Sequence, residues 1–136
     1  MRTFLIALLV LSLAPKIAVA GGGGSKQTGT VKVTNNGSDT LAVIVDPSSN
    51  IQTSLSNGTL SASQFLGAGG RFVGPSGTAT IGGLRTGTHN VVAAYVSGTT
   101  SGSTVGTTSD LSVTVNKGKA TNVTATGDVE TGVTLQ

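Results

Sequence analysis

The chain has 136 residues, a formal net charge of +3, 21 glycines and no cysteine. Without cysteine it can form no disulfide, no thiolate zinc site, no lipoprotein anchor and no cysteine nucleophile. The length suits a single domain.

The first 20 residues have the pattern of a secretory signal peptide. Arg2 forms a short basic start, residues 4–11 form an apolar run, and the A-V-A at 18–20 matches a small-residue cleavage site. The apolar run is too short to span a bilayer core of about 30 Å. We therefore expect a cleaved signal peptide and a mature chain without a membrane span. Its expected location is extracellular or on the cell surface, with the periplasm as the alternative.

Removal of the signal peptide changes the composition. Six basic residues then face five acidic ones, because Arg2 and Lys16 leave with it. Gly, Thr and Ser make up 56 of the remaining 116 residues. A net charge near zero gives no electrostatic reason to expect binding to nucleic acid or to an anionic membrane.

The first part of the mature chain predicts an arm followed by strands. Residues 21–29 are rich in glycine and predict a flexible arm ahead of a folded domain at 30–136. Residues 31–34 (VKVT) alternate as in a half-buried strand, and the NNGS sequence at 35–38 predicts a turn. Residues 41–45 (LAVIV) are apolar at every position, which predicts a central strand covered on both faces.

The second part predicts more short strands. Residues 49–70 show no clear period, and 61–66 fit either a strand or a short helical turn. A Gly/Ser/Thr loop is predicted at 97–109. The remaining predicted strands are 71–73, 78–81, 91–96, 111–115, 121–126 and a last strand or tail at 128–136. We predict an all-β fold, a two-sheet antiparallel sandwich of about seven strands.

A run at 77–115 resembles a known family. The sequences GTATIGGLRTGTHNVVAAYV and TTSDLSVTV within it are similar to the second half of bacterial immunoglobulin-like repeats of surface proteins and adhesins. In those repeats a G-x-A-T strand leads through L-x-x-G-T-H-x-V-x-A-x-Y and a variable loop into a V-x-V strand. The resemblance implies an immunoglobulin-like sandwich with a structural or adhesive role.

Leu84, Gly87 and His89 form a predicted structural corner. Leu84 and Val91 are expected to point into the core, while Gly87 supplies the tight turn between two strands. His89 lies two residues after that glycine, on the face of Val91. In immunoglobulin-like sandwiches an aromatic polar residue at such a corner hydrogen-bonds to upstream backbone, and the resemblance implies that role for His89.

The sequence offers no reaction centre, so we predict no enzyme activity, no cofactor and no metal site. His89 is the only histidine, and no Gly-x-Ser-x-Gly nucleophile motif accompanies it. The glycines at 67–70 lack the Lys-Ser/Thr of a phosphate-binding loop. Calcium takes about six to eight oxygen ligands, and the acidic residues are too scattered to supply them. These residues are Asp39, Asp46, Asp110, Asp128 and Glu130.

Three functions remain open. The first is a non-catalytic, secreted sandwich with a structural or adhesive role, which binds a protein or a surface polymer through loops 97–109 and 49–61. The second is a filament subunit that self-associates by strand donation, for which 128–136 has the better alternation. The third is a loop-based carbohydrate-binding module. The aromatic residues available for stacking on a sugar are Phe65, Phe72 and Tyr95.

Overall fold

The computed structural model describes residues 27–136, so the predicted signal peptide (1–20) and residues 21–26 of the predicted arm lie outside the described residues. Two short helices, α1 (Ser49–Ser56) and α2 (Ala62–Gly67), lie between the second and third strands. The strands are β1 (Thr28–Asn35), β2 (Thr40–Val45), β3 (Arg71–Val73), β4 (Thr78–Arg85), β5 (Gly87–Val96), β6 (Ser109–Val115), β7 (Ala120–Asp128) and β8 (Gly132–Leu135).

These strands form two four-stranded sheets around a shared apolar core, which confirms the predicted all-β, two-sheet sandwich. Sheet I has the strand order β4-β1-β7-β8, and sheet II has the order β3-β2-β5-β6. The chain changes sheet between β1 and β2, so the predicted turn at 35–38 crosses the sandwich instead of closing a hairpin. It crosses again between β4 and β5, at the predicted corner.

One pairing departs from the predicted antiparallel arrangement. β1 and β7 run parallel, in register from Thr30 opposite Ala120 to Asn35 opposite Ala125. The other strand pairs within 27–136 are antiparallel. A parallel pair needs a long crossover connection, and here the chain from β2 to β6 supplies it. This pairing joins segments that are far apart in the sequence. The alternation of apolar and polar residues within one segment cannot predict which distant segment pairs with it.

β2 and β5 form the centre of sheet II and are buried on both faces, as the apolar run at 41–45 predicted. On the inner face, Leu41 and Tyr95 pack in the core between the sheets. On the outer face, Ala42 and Val96 belong to a second apolar cluster beneath the helices. Sheet II is therefore a middle layer between sheet I and the helices, and its strands need apolar residues at consecutive positions.

The helices correct one prediction. The interval 49–61, predicted as a loop, contains helix α1, which is eight residues long. α1 buries Leu55 and α2 buries Phe65, both in the outer cluster of sheet II. With one buried residue per helix, neither segment has enough apolar positions to show a helical period. Within residues 27–136, no helix has the length and the apolar character needed to cross a membrane.

Local capping explains where the helices begin. The Ser48 hydroxyl accepts a hydrogen bond from the Ile51 N–H at the start of α1. Ser61 and Gln64 form a capping box at α2, in which each side chain accepts from the backbone N–H of the other. This S-x-x-Q pattern is a helix-start signal. It decides between the two interpretations of 61–66 in favour of a helical turn.

The C-terminal residues 128–136 complete the sandwich. β8 pairs antiparallel with β7, and the Val133 and Leu135 side chains are buried in the inter-sheet core. Gln136 continues the ladder through backbone hydrogen bonds of 2.7 and 3.0 Å to Thr124. The segment predicted as a strand donor is therefore a strand of its own sheet.

A buried side chain, Asn35, joins the two sheets. Its Nδ2 donates to the Asp39 carbonyl at 2.8 Å and to the Val73 carbonyl at 2.9 Å. Its Oδ1 accepts from the Gly37 N–H at 2.8 Å and from the Tyr95 hydroxyl at 2.9 Å. An amide side chain has two donor hydrogens and two acceptor lone pairs, and all four are used. We call this arrangement the Asn35 network.

The network lies in an apolar environment. Asn35 and Tyr95 are both 0% exposed. Within residues 27–136, no charged residue and no other Asn, Gln, Ser or Thr is buried. Burial raises the pKa of Tyr95 above its ordinary value of 10.0, which keeps its hydroxyl a donor. A side chain at Gly37 would collide with the Tyr95 ring, so glycine is required there. A buried polar group is stabilising only while its partners remain in place.

We predict that Asn35→Ala lowers the free energy of unfolding by about 3 kcal/mol, because it leaves the Tyr95 hydroxyl and several backbone groups buried without partners. Asn35→Asp, which is isosteric but lacks the two N–H donors, should also be strongly destabilising. Urea unfolding of purified variants measures both. The control is Asn122→Ala on the exposed face of β7, with an expected change within about 0.5 kcal/mol. Equal stabilities of the Asn35→Ala and Asn122→Ala variants would contradict the assignment.

Candidate functional site

The predicted corner lies where the chain passes from β4 in sheet I to β5 in sheet II. Gly87 has a φ of +129°, a backbone conformation that favours glycine. Leu84 is partly buried and packs against the inter-sheet core. His89 follows on β5, opposite Val113 of β6.

His89 is held between two hydrogen-bond acceptors. Its Nε2 lies 2.6 Å from the Arg85 carbonyl oxygen, and its Nδ1 lies 2.5 Å from Oδ2 of Asp46. Since neither partner can donate, both contacts are hydrogen bonds only when both ring nitrogens carry a proton. The hydrogen bond to the Asp46 carboxylate, and then that to the Arg85 carbonyl, raise the pKa of His89 above its ordinary value of 6.5. The geometry therefore favours an imidazolium.

The contact from His89 to the upstream Arg85 carbonyl was expected from the sequence, and the contact to Asp46 was not. Asp46 follows β2 with a φ of 51°, a region that aspartate tolerates better than most residues. Its Oδ1 accepts from the Asn90 N–H at 2.8 Å, so one carboxylate binds two neighbouring residues of β5. The contact between Asp46 and His89 can be predicted only from the pairing register of β2 and β5. Val45 pairs with Val91, which places Asp46 beside the residues that precede Val91 on β5. With both ring nitrogens engaged, His89 has no free nitrogen to activate a nucleophile.

A groove on the outer face of sheet II brings together the two intervals predicted to bind a partner. It lies between 55–62 and 98–105 and has a volume of about 290 Å³. The Ser56 and Thr108 hydroxyls, 3.1 Å apart, connect the two intervals beside it. We call this feature the groove.

The groove has an apolar floor and a hydroxyl rim. The partly buried Leu60, Phe72 and Val105 present apolar surface to the groove. Beneath them lie buried residues of sheet II and of the helices: Ala42, Val96, Leu55 and Phe65. Within residues 27–136, no charged side chain lines the groove. The hydroxyl groups around it belong to Thr59, Ser61, Thr99, Thr100, Ser101 and Ser103.

One wall of the groove is the tip of a hairpin, residues 98–103. Val96 and Val105 form a β-bridge at its base. Next to that bridge, the Ser97 N–H donates to the Thr104 carbonyl at 2.9 Å, and the Thr104 N–H donates to the Ser97 hydroxyl at 2.8 Å. The base is thus fixed by hydrogen bonds, while the six-residue tip has small side chains.

The aromatic residues considered for sugar stacking are largely enclosed. Tyr95 is fully buried in the Asn35 network, and Phe65 is 2% exposed. Phe72 is half-buried, with its ring centroid 5.1 Å from that of Phe65 and tilted by 47°. Only the Phe72 ring is therefore available to a ligand among these three, through part of its surface.

We predict that the protein is more stable in mild acid than in mild base, because of His89. Its folded-state pKa lies above the unfolded value, so the imidazolium stabilises fully below about pH 6.5 and loses this effect as the pH rises through the folded-state pKa. Asp46 is half-exposed, so we expect only about 1 kcal/mol of difference between about pH 5.5 and about pH 8.5. Urea unfolding at both pH values measures it.

Two variants serve as controls for the pH dependence. His89→Gln keeps a polar side chain that does not titrate, and Asp46→Asn keeps the shape of Asp46 without its charge. The difference between the two pH values should disappear in His89→Gln and shrink in Asp46→Asn. A His89→Gln variant with the pH dependence of the unmodified chain would assign the effect to another group.

No family model matches the chain, and no curated protein matches it. Among solved structures, the chain is similar to the N-terminal domain of AlgF from P. aeruginosa. The similarity has a TM-score of 0.40 and 18% sequence identity, and it covers 84% of this chain and 96% of that one. The sandwich is established by the strand pairing of the chain itself, and the immunoglobulin-like family assignment stays a proposal.

Proposed function

We propose that the protein is a secreted, non-catalytic, immunoglobulin-like module that binds an uncharged partner group through the groove and has a structural or adhesive role outside the cell. The observation that carries this proposal is the convergence of 49–61 and 97–109 on one apolar groove. The signal-like residues 1–20 and the resemblance at 77–115 support the location and the adhesive role.

The composition of the groove restricts the partner's chemistry. A charged group entering it would lose water without meeting an opposite charge, which is unfavourable. A neutral group with an apolar part would contact the floor, and the hydroxyl rim would supply hydrogen bonds. The volume of about 290 Å³ is at the lower end for ligand pockets, which suits one side chain or ring projecting from a larger molecule. We therefore favour a protein or surface polymer over a free small molecule.

The two other functions have less support. Strand donation by 128–136 would remove Val133 and Leu135 from their own core. Carbohydrate binding would depend on hydroxyl contacts and on the partly covered Phe72 ring, because Phe65 and Tyr95 are enclosed. N-terminal sequencing of the exported protein tests the secretion part of the proposal, with Gly21 as the expected first residue.

We predict that neutral probes enter the groove in preference to charged ones of the same size. Benzyl alcohol, benzoate and benzylammonium are titrated into ¹⁵N-labelled mature protein, and amide chemical shifts are recorded. Benzyl alcohol should shift the amides of Gly58, Gly98 and Gly102, which line the groove. The charged probes should give shifts at least about tenfold smaller at equal concentration, because the groove offers them no counter-charge.

A shortened hairpin provides the matched variant. Replacing residues 98–103 with Asn-Gly leaves a two-residue turn on the Ser97–Thr104 base and removes one wall of the groove. Gly98 and Gly102 are absent from this variant, so the amide of Gly58 is the reporter. Its benzyl alcohol shift should be lost in the shortened variant and retained in Lys117→Ala, which alters an exposed turn outside the lining. Shifts that persist in the shortened variant, or that cluster around His89, would contradict the assignment of the groove.

A further inference from the structure

The outer edge of sheet I carries an open strand. β4 pairs with β1 on one side, and on its other side no strand from residues 27–136 lies beside it. In an antiparallel ladder, alternate residues direct their N–H and C=O groups toward and away from the neighbouring strand. The Asn35 N–H donates to the Gly77 carbonyl at 2.9 Å, which sets the phase of this alternation. Ala79 and Ile81 accordingly bond toward β1, and Thr78 and Thr80 direct their backbone groups outward.

The other three edges of the sandwich are better protected against pairing. β3 has only three residues and β8 only four. β6 carries the exposed Asp110, and its Thr114 carbonyl already accepts a hydrogen bond from the Thr121 hydroxyl at 2.7 Å. Short edge strands, charges and covered carbonyls are the usual means of preventing edge pairing.

β4 lacks these protections in its first half. Residues 78–81 (TATI) contain no charge and no proline, and the first charged residue of the strand is Arg85. A register shift opposite Gly29 and a φ of +69° at Gly83 end the regular part of the edge. The open edge therefore consists of about four residues rich in β-branched side chains.

We infer that 78–81 pairs antiparallel with the same residues of a second copy of this chain. Outward N–H and C=O groups are satisfied by another extended backbone, and a two-fold axis presents identical edges to each other. Both edges are uncharged over these residues, so self-pairing meets no direct charge repulsion. The product is a continuous eight-stranded sheet in which Thr80, whose backbone groups point outward, lies on the two-fold axis opposite its own copy. The groove is on the outer face of sheet II, so this inference does not rest on the proposed function.

The length of the edge also sets the expected strength. Four residues on each side form a small interface, which suits weak and reversible association. Dimers are therefore expected at millimolar protein concentration and not at micromolar concentration. The interface is also separate from β8, which lies at the opposite edge of sheet I.

The absence of cysteine in the chain permits a direct trapping experiment. Opposed residues near the axis of a β4–β4 pair have Cα atoms about 5.5 Å apart, which a disulfide can bridge. Thr80→Cys is oxidised at millimolar concentration. Thr134→Cys, at a position on β8 that is also exposed, is oxidised in parallel as the control. Thr80→Cys should give at least about tenfold more covalent dimer on non-reducing gels. Equal yields from the two variants would overturn the inference.

A second pair of variants tests the backbone hydrogen bonds themselves. Thr80→Pro removes the outward N–H and leaves the bonds to β1 in place, whereas Thr80→Ala keeps the N–H. Analytical ultracentrifugation should show concentration-dependent dimers for the unmodified mature chain and for Thr80→Ala, and monomers for Thr80→Pro. Circular dichroism verifies that each variant is folded. Monomers of the unmodified chain at millimolar concentration, or dimers of a folded Thr80→Pro variant, would overturn the inference.

Discussion

The side-chain amide of Asn35 is the constraint on which the sandwich depends. It lies at the end of β1 in sheet I, and its four partners come from the crossing segment, from the end of β3 and from β5. Apolar packing between sheets is non-directional and allows them to slide, whereas these hydrogen bonds fix one relative position. The chain contains no cysteine, so no disulfide can do this.

The Asn35 network and the groove use opposite faces of the same strands. Tyr95 and the Val73 carbonyl belong to the network, and the adjacent residues Val96 and Phe72 line the groove. Because successive side chains of a strand point to opposite faces, fixing the inner residues also fixes the outer ones. The network therefore positions the floor on which the helices and the hairpin tip build the groove.

The central strands were predictable because their information is local. The runs at 41–45 and 91–96 are apolar at consecutive positions. This pattern predicts burial on both faces of a strand, and no knowledge of the rest of the chain is needed. Asn35 was not predictable, since it stands in an NNGS sequence typical of an exposed turn while two of its partners come from distant strands, Val73 of β3 and Tyr95 of β5. The contact between Asp46 and His89 likewise depends on the register of β2 and β5. The parallel pairing of β1 and β7 is non-local in the same way.

Native-state hydrogen exchange of the Asn35→Ala variant tests most directly whether the network positions the groove. Exchange reports the free energy of local opening amide by amide. If the network positions the groove, amides of β3 and of the last residues of β5 lose about tenfold more protection than those of β7 and β8. A uniform loss over both sheets, or unchanged protection in β3, would contradict it.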